Sequence, residues 1–89
     1  MTKVVIKFYS DPGHGWGAVK RQKLHELCIA DKITGFSYQK GNTVYLEEDC
    51  DLPTFVTALA IKGITVEYVN KHTDRRSPIR NYNTYQAGA

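Results

Sequence analysis

The chain is short of the residues and runs that would settle its class at a glance. Its 89 residues include two cysteines, three prolines and one tryptophan, and twelve Lys+Arg nearly balance nine Asp+Glu. Each shortage removes a class. Two cysteines, Cys28 and Cys50, are too few for the disulfide framework of a small secreted domain, and no C-x-x-C pair starts a zinc finger. No apolar run approaches the ~20 residues that span a bilayer, and the densest, Phe55 to Ile61, is broken by Thr57. The first residues lack the apolar core and cleavage site of a signal peptide, so a reducing, cytoplasmic setting is expected. No P-loop, G-x-S-x-G or H-E-x-x-H motif occurs. The formal charge of +3 is too small to imply nucleic-acid binding by itself, and its distribution matters more.

What is present reads as one small α+β unit. A chain of this length with 42% hydrophobic residues is a single folded domain, with little side-chain volume to spare for a deep pocket. From Lys3 to Tyr9, Val4, Ile6 and Phe8 alternate with Val5, Lys7 and Tyr9, which predicts a half-buried strand. Ser10-Asp11-Pro12-Gly13 stops it, and a glycine-rich stretch runs to Gly17. Leu24, Leu27 and Cys28 fall at helical spacing and predict a helix from Ala18 to about Ala30. Gly35–Lys40 and Thr43–Glu48 read as strands joined at Lys40-Gly41-Asn42. A second helix starts at Asp51-Leu52-Pro53 with Asp51 as N-cap, carries Phe55, Val56, Leu59 and Ala60 inward, and ends at Gly63. Ile64–Val69 is the last strand. A domain over 1–70 and a basic, polar tail over 71–89 follow. The order β-α-β-β-α-β predicts the ferredoxin-like split βαβ fold: a four-stranded antiparallel sheet, order 4-1-3-2, with two helices on one face. In that topology the end of the first strand and the 47–51 segment lie at opposite edges, and the tail starts beside the latter.

Several constellations suggest chemistry. Gly13-x-Gly15-x-x-Ala18 fits the spacing of a dinucleotide fingerprint, but the next strand closes on Gln39-Lys40 where such a site needs an acid, so no cofactor is expected. Backbone amides at the expected helix start, with Lys20, Arg21 and Lys23 in its first turns, suit a phosphate or carboxylate. Trp16 is either a plug over that helix or an exposed anchor, and the weight of tryptophan in binding hot spots groups it with His14 and those cations as a contact surface. Glu47, Glu48, Asp49 and Asp51, with His72 and Asp74, supply the ligand types of a divalent-metal site and of metal-assisted hydrolysis. Arg75, Arg76 and Arg80 reach the same edge and offset those acids, so neither a metal ligand nor a catalytic residue is assigned. Cys28 falls in the apolar stripe as a core cysteine. The open sheet face, with Lys3, Val5, Lys7, Tyr9, Thr43, Tyr45 and Glu47, resembles the layout of an RNA-recognition motif, although Asn42 and Val44 stand where its stacking aromatics belong. The tail interleaves Arg75, Arg76 and Arg80 with Tyr82 and Tyr85. It is suited to follow a phosphate backbone, to fold on a partner, or to drape over the sheet.

Three segments carry a resemblance of sequence: Tyr9 to Trp16 (YSDPGHGW), Tyr45 to Asp51, and His72-Thr73-Asp74 with Ile79-Arg80. They look like a group of small bacteriophage proteins, and the likeness runs to about residue 85. The group carries no established activity, so the resemblance implies a setting, a phage protein in the bacterial cytoplasm, rather than a catalytic residue. Small phage proteins of this kind often bind host or defence machinery. On this ground the expected function is that of a non-enzymatic accessory protein that binds and modulates a host or defence-system protein. The contact is expected through His14, Trp16, Lys20, Arg21 and Lys23, and secondarily through Arg75, Arg76, Arg80 and Tyr82. The alternative is a nucleic-acid-binding module using the same residues, and a third reading is a small metal-dependent hydrolase at the acidic edge. No cofactor and no membrane partner is expected, and pairing of two copies along an edge strand stays open.

Overall fold

The computed structural model describes residues 2–88 and is α+β, with one mixed sheet. Met1 and Ala89, the latter closing the expected 71–89 tail, lie outside the described residues. The strands are β1 (Thr2–Ser10), β2 (Gly15–Lys20), β3 (Tyr38–Lys40), β4 (Thr43–Glu47), β5 (Ile64–His72) and β6 (Asn83–Thr84). The helices are α1 (Arg21–Glu26) and α2 (Leu52–Ile61), with short 3₁₀ turns at Ala30–Lys32 and Pro78–Asn81. The sheet order is β5-β1-β2-β4-β3-β6, with β1 parallel to β5 and every other pair antiparallel.

The expected four-stranded antiparallel sheet is therefore corrected to six mixed strands, and β2 is the reason. Asp11 folds the chain back: its backbone N–H donates to the His14 carbonyl, and its Oδ1 accepts from the Gly13 and His14 amides at 2.9 and 3.0 Å. That closed turn starts a hairpin, so Gly15–Lys20 pairs with β1 instead of opening a helix. The glycines belong to the strand's period of two. A Cβ on Gly15 would stand 2.3 Å from the Phe8 ring, and one on Gly17 would stand 2.7 Å from Leu52 Cδ1. Both face the helices, and their bareness admits the Phe8 and Leu52 side chains.

Inserting β2 between β1 and β4 has a directional consequence. The expected order 4-1-3-2 survives among β5, β1, β4 and β3, but one extra strand reverses β1 relative to β4 and β5. The β4–α2–β5 crossover thus leaves β5 parallel to β1. The end of β1, the glycine-rich turn, the 47–51 segment and the start of the tail now share one end of the sheet, which corrects their expected placement at opposite edges: Ser10 pairs with both His72 and Gly15, and Trp16 with Glu47.

One face of the sheet carries the core, where Ile6, Val19, Val44 and Leu46 meet Leu24, Leu52, Phe55 and Leu59. Full burial of each of the larger side chains contributes about 1.5–3 kcal/mol. α2 forms as expected, with Pro53 in its first turn and Gly63 at φ +75° after its end. α1 is half its expected length. It stops because Cys28 adopts φ +59° while the Leu27 and Cys28 amides bond back to Lys23 and His25. Cys28 is consequently exposed rather than a core cysteine, and Cys50 is exposed too. Asp51 precedes α2, but its side chain makes no cap bond. It is buried and accepts from the Thr34 amide and hydroxyl at 3.0 and 2.7 Å and from the Ser37 hydroxyl.

The tail belongs to the domain. After β5 it crosses the helix-free face and ends by pairing β6 with β3. Ile79 and Tyr85 are buried, and the Tyr85 hydroxyl donates to the Ala30 carbonyl. Ile79 comes from its 3₁₀ turn and Tyr85 from just beyond β6, so a basic, polar stretch holds two isolated hydrophobic pins in different local structures.

Candidate functional site

The helix-free face is set by register. Lys71, Tyr9, Trp16 and Glu47 form one row across β5, β1, β2 and β4. The next row is Val69, Lys7, Ala18, Tyr45 and Tyr38, and below it Lys20, Thr43 and Lys40 align. Tyr9, Tyr45 and Tyr82 form a row of rings across this face, Tyr9 edge-on to Tyr45 at 6.0 Å and Tyr82 tilted on it at 5.3 Å between centroids, and the Lys40 ammonium lies 4.9 Å from the Tyr82 ring. Burial, together with Tyr82 and Tyr9, pushes the Tyr45 phenol above its ordinary value, so it stays a neutral hydrogen-bonding and stacking group. Lys3 pairs with Glu67 at 3.1 Å. Among the described residues no carboxylate lies within ion-pair distance of Lys7, Lys20, Lys40 or Lys71. Four cations without a carboxylate partner among the described residues therefore share this face.

This face is also cleft. The β1–β2 register ends at Lys7 opposite Ala18, and below that point the strands diverge. The gap has a volume of about 630 Å³ and is lined by Val5, Lys7, Tyr9, Lys20, Lys23 and Tyr45 among others, with Phe55 reaching it from α2.

The tail is latched at the upper end of the face. Asp11 Oδ2 and Oδ1 accept from Arg80 Nε and Nη2 at 2.6 and 2.8 Å, and Oδ2 also accepts from the Ser77 amide at 2.9 Å. Arg80, with the Ser77, His14 and Gly13 amides, holds the Asp11 carboxyl far below the usual carboxylate range, and Asp11 in turn raises Arg80. The guanidinium also lies 5.2 Å from the Trp16 ring, and Tyr38 meets that ring edge-on at 6.2 Å. Trp16 is 2% exposed. It is buried rather than an exposed anchor, but it lies under the tail on the helix-free side of the sheet and not over a helix.

The expected contact residues divide accordingly. His14 and Trp16 stand at one end of β2 and Lys20 at the other, so His14, Trp16, Lys20, Arg21 and Lys23 do not form one patch. Lys20 and Lys23 line the cleft. Arg21 is engaged by the tail: it donates to Gln39 Oε1 and the Gln86 carbonyl and lies 5.4 Å from the Tyr85 ring. Arg80 is taken by Asp11, Tyr82 is half-buried on Tyr45, and Arg76 donates to Asn81 Oδ1 at 2.9 Å. Arg75 is exposed. The arginines therefore do not offset the 47–51 acids. Instead His14 Nδ1 approaches Glu47 Oε2 at 3.6 Å, and His72 pairs with Asp74 at 3.2 Å two strands away. The Glu47 carboxylate beside it pushes the Cys50 thiol up, which disfavours the thiolate a nucleophile needs.

No helix of the described residues is long and apolar enough to cross a membrane. No protein family, curated protein or solved structure matches the chain.

Proposed function

We propose that this protein is a non-enzymatic binding module whose helix-free sheet face takes an anionic chain, single-stranded nucleic acid. The observation that supports the reading most is the cleft between β1 and β2, lined by lysines and tyrosines and continuous with the Tyr9–Tyr45–Tyr82 row of rings. Non-specific binding of a single strand needs two things, cations to follow phosphates and aromatic rings to meet bases. Lys7, Lys20, Lys40 and Lys71 supply the first and the tyrosines the second. The proposal differs from the RNA-recognition layout in where its rings stand: they come from β1, β4 and the tail rather than from the positions of Asn42 and Val44. Titrating a labelled single-stranded oligonucleotide by fluorescence anisotropy tests it, with saturable binding expected. Absence of binding at low salt refutes it.

A protein partner is the second reading, and a different surface supports it. Among the described residues the outer side of β5 has no strand neighbour over nine residues, and Val5 and Val69 are exposed beside it. Such an edge pairs with an extended segment of another chain. A host or defence-system protein, the partner that the bacteriophage resemblance implies, would dock here. Binding there is less sensitive to salt than binding through lysines, so a partner retained from bacterial lysate after nuclease treatment and at raised salt favours this second reading.

A further inference from the structure

One group of side chains is explained neither by the fold nor by the lysine–tyrosine face. We infer that His14, Glu47 and Asp49 form a site for a divalent transition-metal ion of the zinc class. Glu47 is the key residue. Its side chain is 9% exposed, and its Oε1 accepts from the Asp49 and Cys50 amides at 3.1 and 2.9 Å. Those bonds fix the carboxylate and leave Oε2 buried without a hydrogen-bond partner. A buried carboxylate oxygen left in that state is costly and calls for a cation or a donor.

The nearest group is His14 Nδ1 at 3.6 Å, longer than a normal N–H···O bond. Two ligands about 2.1 Å from a tetrahedral ion lie about 3.4 Å apart, so the spacing suits an ion between them. A ligand atom from each of His14, Glu47 and Asp49 falls within 4.8 Å of the others, and the Asp49 side chain is exposed and free to rotate. One imidazole nitrogen with two carboxylate oxygens favours zinc or manganese over magnesium or calcium. The two carboxylates balance the charge of such an ion. A cleft of about 350 Å³ opens at the same place, lined also by Trp16, Phe36, Tyr38, Cys50 and Arg80, with the Cys50 thiol outside the His14–Glu47–Asp49 cluster. It leaves room for a water or small anion to complete the coordination. Trp16 Nε1, the other buried polar side-chain atom without a partner among the described residues, belongs to the same cleft. A bound ion would tie the 11–14 turn to the 47–51 turn, and it is independent of the nucleic-acid reading.

The test is calorimetric titration of the full chain with zinc chloride after chelator treatment. One ion per chain is expected, with a thermal midpoint that rises with zinc concentration and no response to magnesium. His14→Ala and Asp49→Asn alter side chains that carry no hydrogen bond of the fold, so both should keep the metal-free circular dichroism spectrum. Each should weaken zinc by roughly tenfold or more. Cys28→Ser with Cys50→Ser should leave binding intact. The inference is overturned by no saturable heat in the parent chain, by unchanged binding in both His14→Ala and Asp49→Asn, or by loss of binding in the double serine variant, which would assign zinc to the thiols.

Discussion

Replacing Trp16 with alanine separates an anchor from a plug. A partner-binding anchor on the surface would cost affinity and leave folding alone. The indole is instead enclosed by the Arg80 guanidinium, the Tyr38 ring and the His14 ring, at 2% exposure. Truncating a large buried aromatic costs about 3–5 kcal/mol. A domain of 89 residues has roughly 4–13 kcal/mol in total, so the variant should lie near the edge of folding. In urea, with a slope of about 1–3 kcal/mol per molar, its midpoint should fall by at least about 1 M, followed by far-ultraviolet circular dichroism. Trp16→Phe keeps a ring against Arg80 and Tyr38 and should lose less. Since the chain has one tryptophan, the parent's fluorescence reports the same burial directly, as a blue-shifted emission that moves to the red on unfolding. An alanine variant whose midpoint stays within about 0.3 M of the parent would refute the buried placement.

The latch makes a pH prediction. The folded Asp11 carboxyl is held below its unfolded value, so its contribution is complete above about pH 4 and is lost as pH falls below it. Asp11→Asn should flatten that acid limb of stability and speed tryptic cleavage at Arg75 and Arg76, as the tail loses its anchor; an acid limb identical to the parent's would contradict the latch. Gly17→Val places a branched side chain where even a Cβ meets Leu52 at 2.7 Å, and should destabilise by about 1–3 kcal/mol in the same urea assay. A neutral Gly17→Val would mean that β2 does not face the helices. Asp51→Ala strips acceptors from Thr34 and Ser37 and should cost about 3 kcal/mol, whereas an Asp51 acting only as a helix cap would cost about 1.

The elements with strong periodicity were legible. The β1 alternation, the Gly41 hairpin and the Pro53-to-Gly63 helix all stand where the pattern puts them. The error lay in Gly15–Lys20: Gly13, Gly15 and Ala18 fit the spacing of a dinucleotide fingerprint ahead of a helix, while Gly15 and Gly17 also mark every second residue of a strand. Only contacts distant in sequence decide between the two: Phe8 and Leu52 fill the glycine positions, and Asp11 bends the chain through Arg80, 69 residues away. That single strand reversed the sheet's directions. It brought the glycine-rich turn to the acidic segment and made His14 a neighbour of Glu47. The tail hid its hydrophobic pins because Ile79 and Tyr85 lie in a 3₁₀ turn and just beyond a two-residue strand, where no period can show. Lys7, Tyr9 and Tyr45 were readable as one face, while the cleft below them was not, because strand divergence leaves no mark in residue pattern.

The salt dependence of oligonucleotide binding tests the central claim most directly. If Lys7, Lys20, Lys40 and Lys71 each neutralise one phosphate of a single strand, the logarithmic slope is about −2.8, and affinity falls about 50-fold between about 50 and 200 mM salt. Lys7→Ala with Lys20→Ala, both exposed side chains, should halve the slope and reduce the fall to about sevenfold. A parent chain that binds with a slope near zero, or a double variant with the parent's slope, would place the anionic partner elsewhere than on this face.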